Sequence, residues 1–468
     1  MNSRILCGLL LKQLRIKHGL KQTQFAERIP ISQPYLAELE IGKKPLKEET
    51  LKEIDKAFKL TEKEKELFTC ALNGTWIDIP TEFAPLEKLY FFLLDELIPT
   101  QLKHLVEENI SNLIDGWSTV VYAQLNNNKR RWNDVLTACN QGLEQVLPHS
   151  AFLSTYLYEM QAEASIHLGK LAQAIAILET TEKEIPSLNN QDIKAIHCIN
   201  RGDVLRYQGY LEEAEKQYNE ARSVYDRLGK TLFTKQVERK IATLFLFRGN
   251  WHAARPILES CLHTFEQTQS YLDIIQTKYA LGWVYSLSGN WDLAHRNHEA
   301  GFEIAKKHLE DDPGFQYLTM LGYSYLSNDY RQLDQVDTAI KMGREAQKLG
   351  EEFKNDLETG WVLVCLARAI AQKSEELVVS GETDKAAKFR NEARHYFEEA
   401  LSFYKRNNYA FRLMISQVHY GRFLLNQAPK IEEAEAVLTD ALTRASSIHC
   451  EYYVAQVKSI LCELYRRQ

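Results

Sequence analysis

The 468-residue sequence has no run of about 18 or more apolar residues, so no membrane-spanning helix is expected. It also has no Cys-x-x-Cys pair. Its eight cysteines (Cys7, Cys70, Cys139, Cys198, Cys261, Cys365, Cys450 and Cys462) stand at least 12 residues apart. That spacing removes the usual zinc and dithiol arrangements and leaves small core residues of a reducing cytoplasm. There is no phosphate loop, no Gly-x-Ser-x-Gly and no His-Glu-x-x-His, so no enzyme, catalytic residue or cofactor is expected. His295 and His298 stand three apart on one predicted helix, but no third ligand follows, and His298 falls where a large core residue belongs; no metal site is expected. The short apolar stretch near Ile5–Leu11 has no cleavage-site pattern and runs on into a helical pattern, so it reads as structure and the chain as cytoplasmic. Proline (11) and glycine (21) are few, and alternating β-branched runs are scarce, which favours an ordered, all-α chain.

What the sequence does contain is a ladder. Gly169, Gly209, Gly249 and Gly289 each open a similar hexapeptide, closed by Ala174, Ala214, Ala254 and Ala294, with Leu or Trp at the third place. A fixed period of this size marks a solenoid, whose units bury their apolar faces only against their neighbours. Charge is uneven as well. Residues 1–47 carry nine Lys/Arg against three Glu, a net +6, which leaves −12 on the rest of the chain. A basic head on an acidic body points to a nucleic-acid or other anionic partner for the head alone.

Within the head, Ile5, Leu9, Leu10 and Leu14 recur at helical spacing up to about Lys17. A short second helix carries Phe25, Ala26 and Ile29 inward, and Pro30-Ile31 makes a turn. Ser32 caps a third helix, Gln33 to Glu40, which Gly42 ends, and a fourth covers about 48–58. The stretches Gly19-Leu20-Lys21-Gln22-Thr23-Gln24-Phe25-Ala26, Ile31-Ser32-Gln33-Pro34-Tyr35-Leu36 and Glu40-Ile41-Gly42-Lys43-Lys44-Pro45 resemble the Cro/phage-repressor (XRE) helix-turn-helix family. The resemblance implies Gln22 on a phosphate, Gln33 and Tyr35 facing bases, and Lys43 and Lys44 on the DNA backbone; Ser32 completes the candidate DNA contacts. Amides can read adenine edges bidentately, and a helix N-terminus with nearby lysines suits phosphate. Pro34 takes a slot often used for contact, and Glu38 and Glu40 are expected to face protein or solvent. A helix-turn-helix kept only for protein docking is the alternative.

Thr61-Glu62-Lys63-Glu64 reads as a capping box for a helix to about Leu72. The expected organisation is a helix-turn-helix domain over 1–68, a helical connector over 69–110 and a repeat array over 111–468 with a C-terminal capping helix. In the array Trp132 takes the place of Trp251 and Trp291, and the pattern loosens at Asn328-Asp329-Tyr330, read as a turn. Gly202, Gly282 and Gly322 in the first helix of a pair, each followed three residues on by Leu205, Tyr285 or Tyr325, resemble the tetratricopeptide repeat, though the forty-residue period is longer than usual. That resemblance implies a right-handed α-solenoid whose first helices line a concave face.

Flanking the small-residue seam, Glu163, Asp203, Arg206, Gln236, Arg239, Gln276, Tyr279 and Trp283 are the candidate peptide-binding residues, with Tyr156, Glu159, Thr243, Gln316 and Tyr323 alongside. Amides suit a peptide backbone, charges its ends and aromatics its apolar side chains; the bland alternative is a solvated helix face. The combination resembles the Rap/Rgg/NprR/PlcR/PrgX peptide-pheromone receptors. It implies a homodimeric transcriptional regulator that binds double-stranded DNA and senses a short peptide by changing dimer geometry. A scaffold whose array binds a protein partner, with the head as tether, is the second reading. Tyr452, Val454, Val457, Leu461 and Leu464 are expected either at the dimer contact or in a cap, and the ligand groove is expected to centre on Gly169–Gly289.

Overall fold

The computed structural model describes residues 3–73, 119, 122–123, 131–146, 151–188, 190–309, 314–353, 356–426 and 431–467. All regular structure among them is helical. No helix among the described residues is long and apolar enough to cross a membrane. The described residues fall into two compact units: 1–128 with 133–161 and 186–188, and 129–132 with 162–185 and 189–468.

The head comprises α1 (Ser3–Lys17), α2 (Gln22–Arg28), α3 (Gln33–Glu40), α4 (Glu48–Phe58) and α5 (Glu62–Asn73). Of the expected apolar set, Leu10, Leu14, Phe25, Ala26, Ile29, Ile54 and Phe58 are buried; Leu11 and Leu36 join them, and Phe25 stacks on Phe58 at 4.5 Å. Ser32 caps α3 by accepting a hydrogen bond from the Tyr35 N–H at 3.3 Å. The capping box at α5 forms in both directions, with the Thr61 N–H on Glu64 Oε2 at 2.7 Å and the Glu64 N–H on Thr61 Oγ1 at 3.3 Å. Helix α5 runs through position 68 and is tied to α1 by Lys17 Nζ on Glu64 Oε1, 2.7 Å. The expected connector beyond residue 73 and most of the helix expected at 111–126 lie outside the described residues.

The remaining helices are α6 (Trp132–Val146), α7 (Ala151–His167) and α8 (Leu171–Leu188), then α9 (Gln191–Gln208) with α10 (Leu211–Arg227) and α11 (Thr231–Phe247) with α12 (Trp251–Gln267). They continue with α13 (Tyr271–Leu287) and α14 (Trp291–His308), α15 (Gly314–Gln332) and α16 (Val336–Phe353), and α17 (Asp356–Val379) and α18 (Thr383–Arg406). The last are α19 (Ala410–Leu425), α20 (Ile431–Ser447) and α21 (Glu451–Arg467).

The pairs are sealed as the small residues require. A Cβ at Gly202 would lie 2.5 Å from the Tyr218 ring of α10, and one at Gly282 would enter the imidazole of His298 on α14. Six cysteines (7, 139, 198, 261, 365 and 450) are buried, while Cys462 is exposed.

Two expectations change. Asn328-Asp329-Tyr330 is not a turn: α15 continues to Gln332, and the reversal falls at Leu333–Gln335, with Asp334 at φ 57°. The cause is long-range. Asp329 is fully buried and meets His298 Nδ1 at 2.7 Å, so a residue that favours turns is held in a helix by a partner 31 positions away. The late helices also do not stand apart from the early ones. Phe247 at the end of α11 stacks on Phe411 of α19 at 4.0 Å, Tyr207 of α9 meets Tyr409 edge-on at 5.4 Å, and the Cys450 thiol donates to the Phe247 carbonyl at 3.1 Å. Val457 and Leu464 are fully buried within this same core, so the C-terminal stripe expected at a dimer contact is used inside the chain, as in the capping alternative.

Candidate DNA-binding face and candidate peptide groove

In the head, a polar relay links three helices. Arg15 of α1 grips Glu40, the last residue of α3, with Nε–Oε1 at 2.6 Å and Nη2–Oε2 at 3.1 Å. Glu40 is buried at 2% exposure and also accepts from Gln22 Nε2 at 2.8 Å. Gln22 Oε1 in turn accepts from Gln33 Nε2 at 2.9 Å. An amide nitrogen carries two hydrogens, so Gln33 keeps one N–H and its carbonyl oxygen for another partner. That remaining donor–acceptor pair is what an adenine edge requires. Gln22, which the resemblance placed on a phosphate, is engaged within the head at both ends of its amide.

Lys43 and Lys44 are exposed beyond α3 and share Glu38, at 3.7 and 2.6 Å. Lys44 also lies over the Tyr35 ring, 5.4 Å from its centroid. Glu40 thus faces the protein as expected, while Glu38 sits at the rim as counter-ion to the two lysines. Arg15 and Glu40, which orient the site, were not among the candidate residues. An acid at the end of a predicted recognition helix, in a head otherwise basic, was the available clue.

In the array, every candidate peptide residue lies on the first helix of a pair, and they divide by their partners. Asp203 is buried and accepts from Tyr218 Oη at 2.7 Å and Lys240 Nζ at 2.6 Å, with Arg206 Nη2 at 3.3 Å. Burial works to raise its pKa, but Lys240 and Arg206 overcome this and hold the carboxyl well below the usual carboxylate range. Arg206 lies over its neighbour Tyr207, 4.0 Å from the ring centroid. Tyr279 is buried and donates to the Leu318 carbonyl at 2.9 Å. Gln236 donates to Asp273 Oδ2 at 2.7 Å, and Arg239 Nη2 lies 3.4 Å from Asp273 Oδ1.

The buried atoms Gln276 Oε1 and Arg239 Nε have no hydrogen-bond partner. Trp283 is half-buried against Phe247, with ring centroids 5.4 Å apart, and Glu163 is half-buried. His298, the candidate half of a metal pair, meets Asp329 through Nδ1 and the Tyr279 carbonyl through Nε2 at 3.3 Å.

Lys240 and Asp273 were missed, though their spacing was readable. Asp203–Lys240 and Gln236–Asp273 are both 37 residues apart, one helical turn short of the repeat, so each pair reaches across to the next first helix. A cleft of about 280 Å³ lies elsewhere, lined by Arg222, Glu238, Ile241, Pro256, Ile257 and Ser260, none of them a candidate peptide residue.

Residues 11–65 match the family model described as helix-turn-helix. No curated protein matches the chain in sequence. Among solved structures, the chain is similar to a Rap protein complexed with competence and sporulation factor, at 14% identity over 77% of this chain and 99% of that one, with a TM-score of 0.50. It is likewise similar to the Rap conjugation gene regulator of the plasmid pLS20 in complex with the Phr* peptide, at 13% identity over 78% and 94%, with a TM-score of 0.51. These likenesses show the fold alone, an all-α, tetratricopeptide-like array, and the family match places a helix-turn-helix before it.

Proposed function

We propose that the chain is a DNA-binding transcriptional regulator of the cytoplasm, without enzymatic activity, whose array senses a short signalling peptide and passes that event to the geometry of a homodimer. The observation that carries the reading is the union, in one chain, of a helix-turn-helix and an array whose fold recurs in two Rap structures, one complexed with competence and sporulation factor and the other with the Phr* peptide. A dimer suits the head because paired recognition helices must span half-sites about one helical turn apart. The free carbonyl and second N–H of Gln33 supply base readout, and Lys43 and Lys44 supply phosphate contact after exchanging Glu38 for DNA.

The test is a selection of genomic fragments on the purified full chain, with and without peptide-containing culture supernatant. Enrichment of a discrete duplex whose binding shifts with supernatant supports the reading. No enriched duplex in either condition overturns it, and one stoichiometric protein captured in its place identifies the scaffold alternative.

Two variants refine the test. K43A and K44A are each expected to weaken specific and random duplexes alike and to reduce the slope of log affinity against log salt by about 0.9. Gln22→Ala is expected to cost about 1 kcal/mol of head stability. It also releases Gln33, and so narrows the ratio of specific to random binding without changing the salt slope. Titrations at several salt concentrations read both effects.

A further inference from the structure

The largely buried arginines on the first helices of the array are of two kinds, and Arg239, 3.4 Å from Asp273, belongs with the first. Arg206 and Arg412 are neutralised within the chain. Arg206 meets Asp203, and Arg412 Nη2 stands 3.1 Å from Glu358 Oε2 with its guanidinium 4.7 Å from the Trp361 ring centroid. Arg331 and Arg368 make no ion pair within 4.0 Å among the described residues. Arg331, in the last turn of α15, reaches neutral amide oxygens, Gln372 Oε1 at 3.2 Å and Asn328 Oδ1 at 3.4 Å, and its buried Nε has no hydrogen-bond partner. Arg368 stands one turn before Gln372 on α17, half-buried, with no carboxylate within 4.0 Å among the described residues.

The acids in the neighbourhood make their hydrogen bonds to other groups. Asp334 accepts from Gln372 Nε2 at 3.3 Å, Glu375 from Asn426 Nδ2 at 2.8 Å, and Asp329 meets His298. Burial and then Arg368 pull the Arg331 guanidinium down to about 9. Burial, followed by Arg368, Arg331 and Arg422, also pushes His419 of α19 well below the ordinary histidine range, so its imidazole is neutral at neutral pH.

A guanidinium keeps its proton in nearly every protein setting, so these two charges persist, and unpaired charge held out of water is costly. The same inner wall neutralises Arg206 and Arg412 with its own carboxylates, which makes the lack of one at Arg331 and Arg368 specific to that place. We propose that Arg331 and Arg368, with the Gln372 amide beside them, form a subsite for a carboxylate of a bound peptide, either its C-terminus or an acidic side chain. A planar guanidinium pair suits a carboxylate because each can present two parallel N–H donors. The peptide as occupant rests on the function proposed above; the arginine pair does not.

The test uses the full chain without DNA. The probes are two pools of random-sequence heptapeptides identical except for a C-terminal carboxylate or carboxamide, each made with and without one glutamate, together with inorganic phosphate. Equilibrium dialysis and thermal melting read binding. The carboxylate-bearing pools are expected to bind and to raise the melting midpoint, while the amidated, glutamate-free pool does not. The variant R368Q is expected to bind those pools roughly tenfold or more weakly, with R368K intermediate. R368Q alone, having shed an unpaired charge, does not lower the ligand-free midpoint, whereas R412Q, which strands Glu358, lowers it.

Equal binding of all pools, unchanged binding by R368Q, or an R368Q midpoint that falls as far as that of R412Q overturns the proposal. So does a response to phosphate with none to peptides. If no DNA is ever selected but the carboxylate pools still bind through Arg368, the regulator falls and the subsite stands. If DNA and peptide both bind and R368Q changes neither, only the subsite falls.

Discussion

Asp203→Ala lowers the stability of the array by about 3–5 kcal/mol, because it strands charges that the carboxylate now holds. Lys240 Nζ at 2.6 Å, Arg206 at 3.3 Å and the Tyr218 hydroxyl at 2.7 Å all converge on it, and its exposure is 3%. Lys240 comes from the next first helix, so the loss also loosens one repeat from another. The expected result is a fall in the urea midpoint without peptide present, and that separates two roles. A residue that served only a peptide would leave the ligand-free midpoint alone, and such an outcome would return Asp203 to the binding surface.

Acid titration gives an independent reading. The folded carboxyl sits below its unfolded value of about 3.9, so the unfolded chain takes up this proton first. The stabilisation is complete above that pH and drains away as pH falls through it towards the depressed folded value. Asp203→Asn should flatten stability against pH by up to about 1.4 kcal/mol per unit in that acid window, and leave the slope near neutrality unchanged.

Much of this was legible because helix ends and apolar faces are local. Glu48–Phe58 and Thr383–Arg406 fall where periodicity and caps place them, and Ser32 and Thr61 cap as their residue types require. What escaped depends on partners far along the chain. Asn328-Asp329 carries the composition of a turn, and only His298 explains why Asp329 is helical and buried. For Glu40 the sequence left protein and solvent both open, and Arg15, 25 residues earlier, explains its burial.

The groove shows the same limit. Polar residues beside the small-residue seam were correctly put on first helices, but their spacing does not say which of them a neighbouring repeat has already claimed. Asp203 and Tyr279 are claimed, while Gln276 and Arg239 keep buried atoms without a partner. The two readings of the C-terminal stripe, dimer contact or cap, stayed open for a related reason: an apolar stripe such as Val457 and Leu464 looks alike whether it meets a second copy or an earlier repeat.

The glycine ladder separates the local cause from the distant one. Gly249 and Gly289 occupy equivalent turns with almost the same left-handed backbone, φ 77° and 78°. A Cβ at Gly289 would meet nothing within 4 Å, whereas one at Gly249 would be driven into the Cβ of Tyr452 on α21. Gly289→Ala is therefore expected to cost only the backbone strain of a left-handed alanine, about 1–2 kcal/mol. Gly249→Ala carries that strain plus overpacking of roughly another 1–3 kcal/mol, since Tyr452 is anchored by its own main chain and can yield only if α21 moves. The further difference is one of form. Gly249→Ala is expected to part the Phe247–Phe411 stack and the Cys450 contact, raising the radius of gyration in small-angle scattering and the reactivity of the buried Cys450 thiol, while Gly289→Ala changes neither. Equal midpoints and equal scattering for the two variants would mean that the turn at Gly249 does not bear on the C-terminal helices, and that the early and late repeats are not held together there.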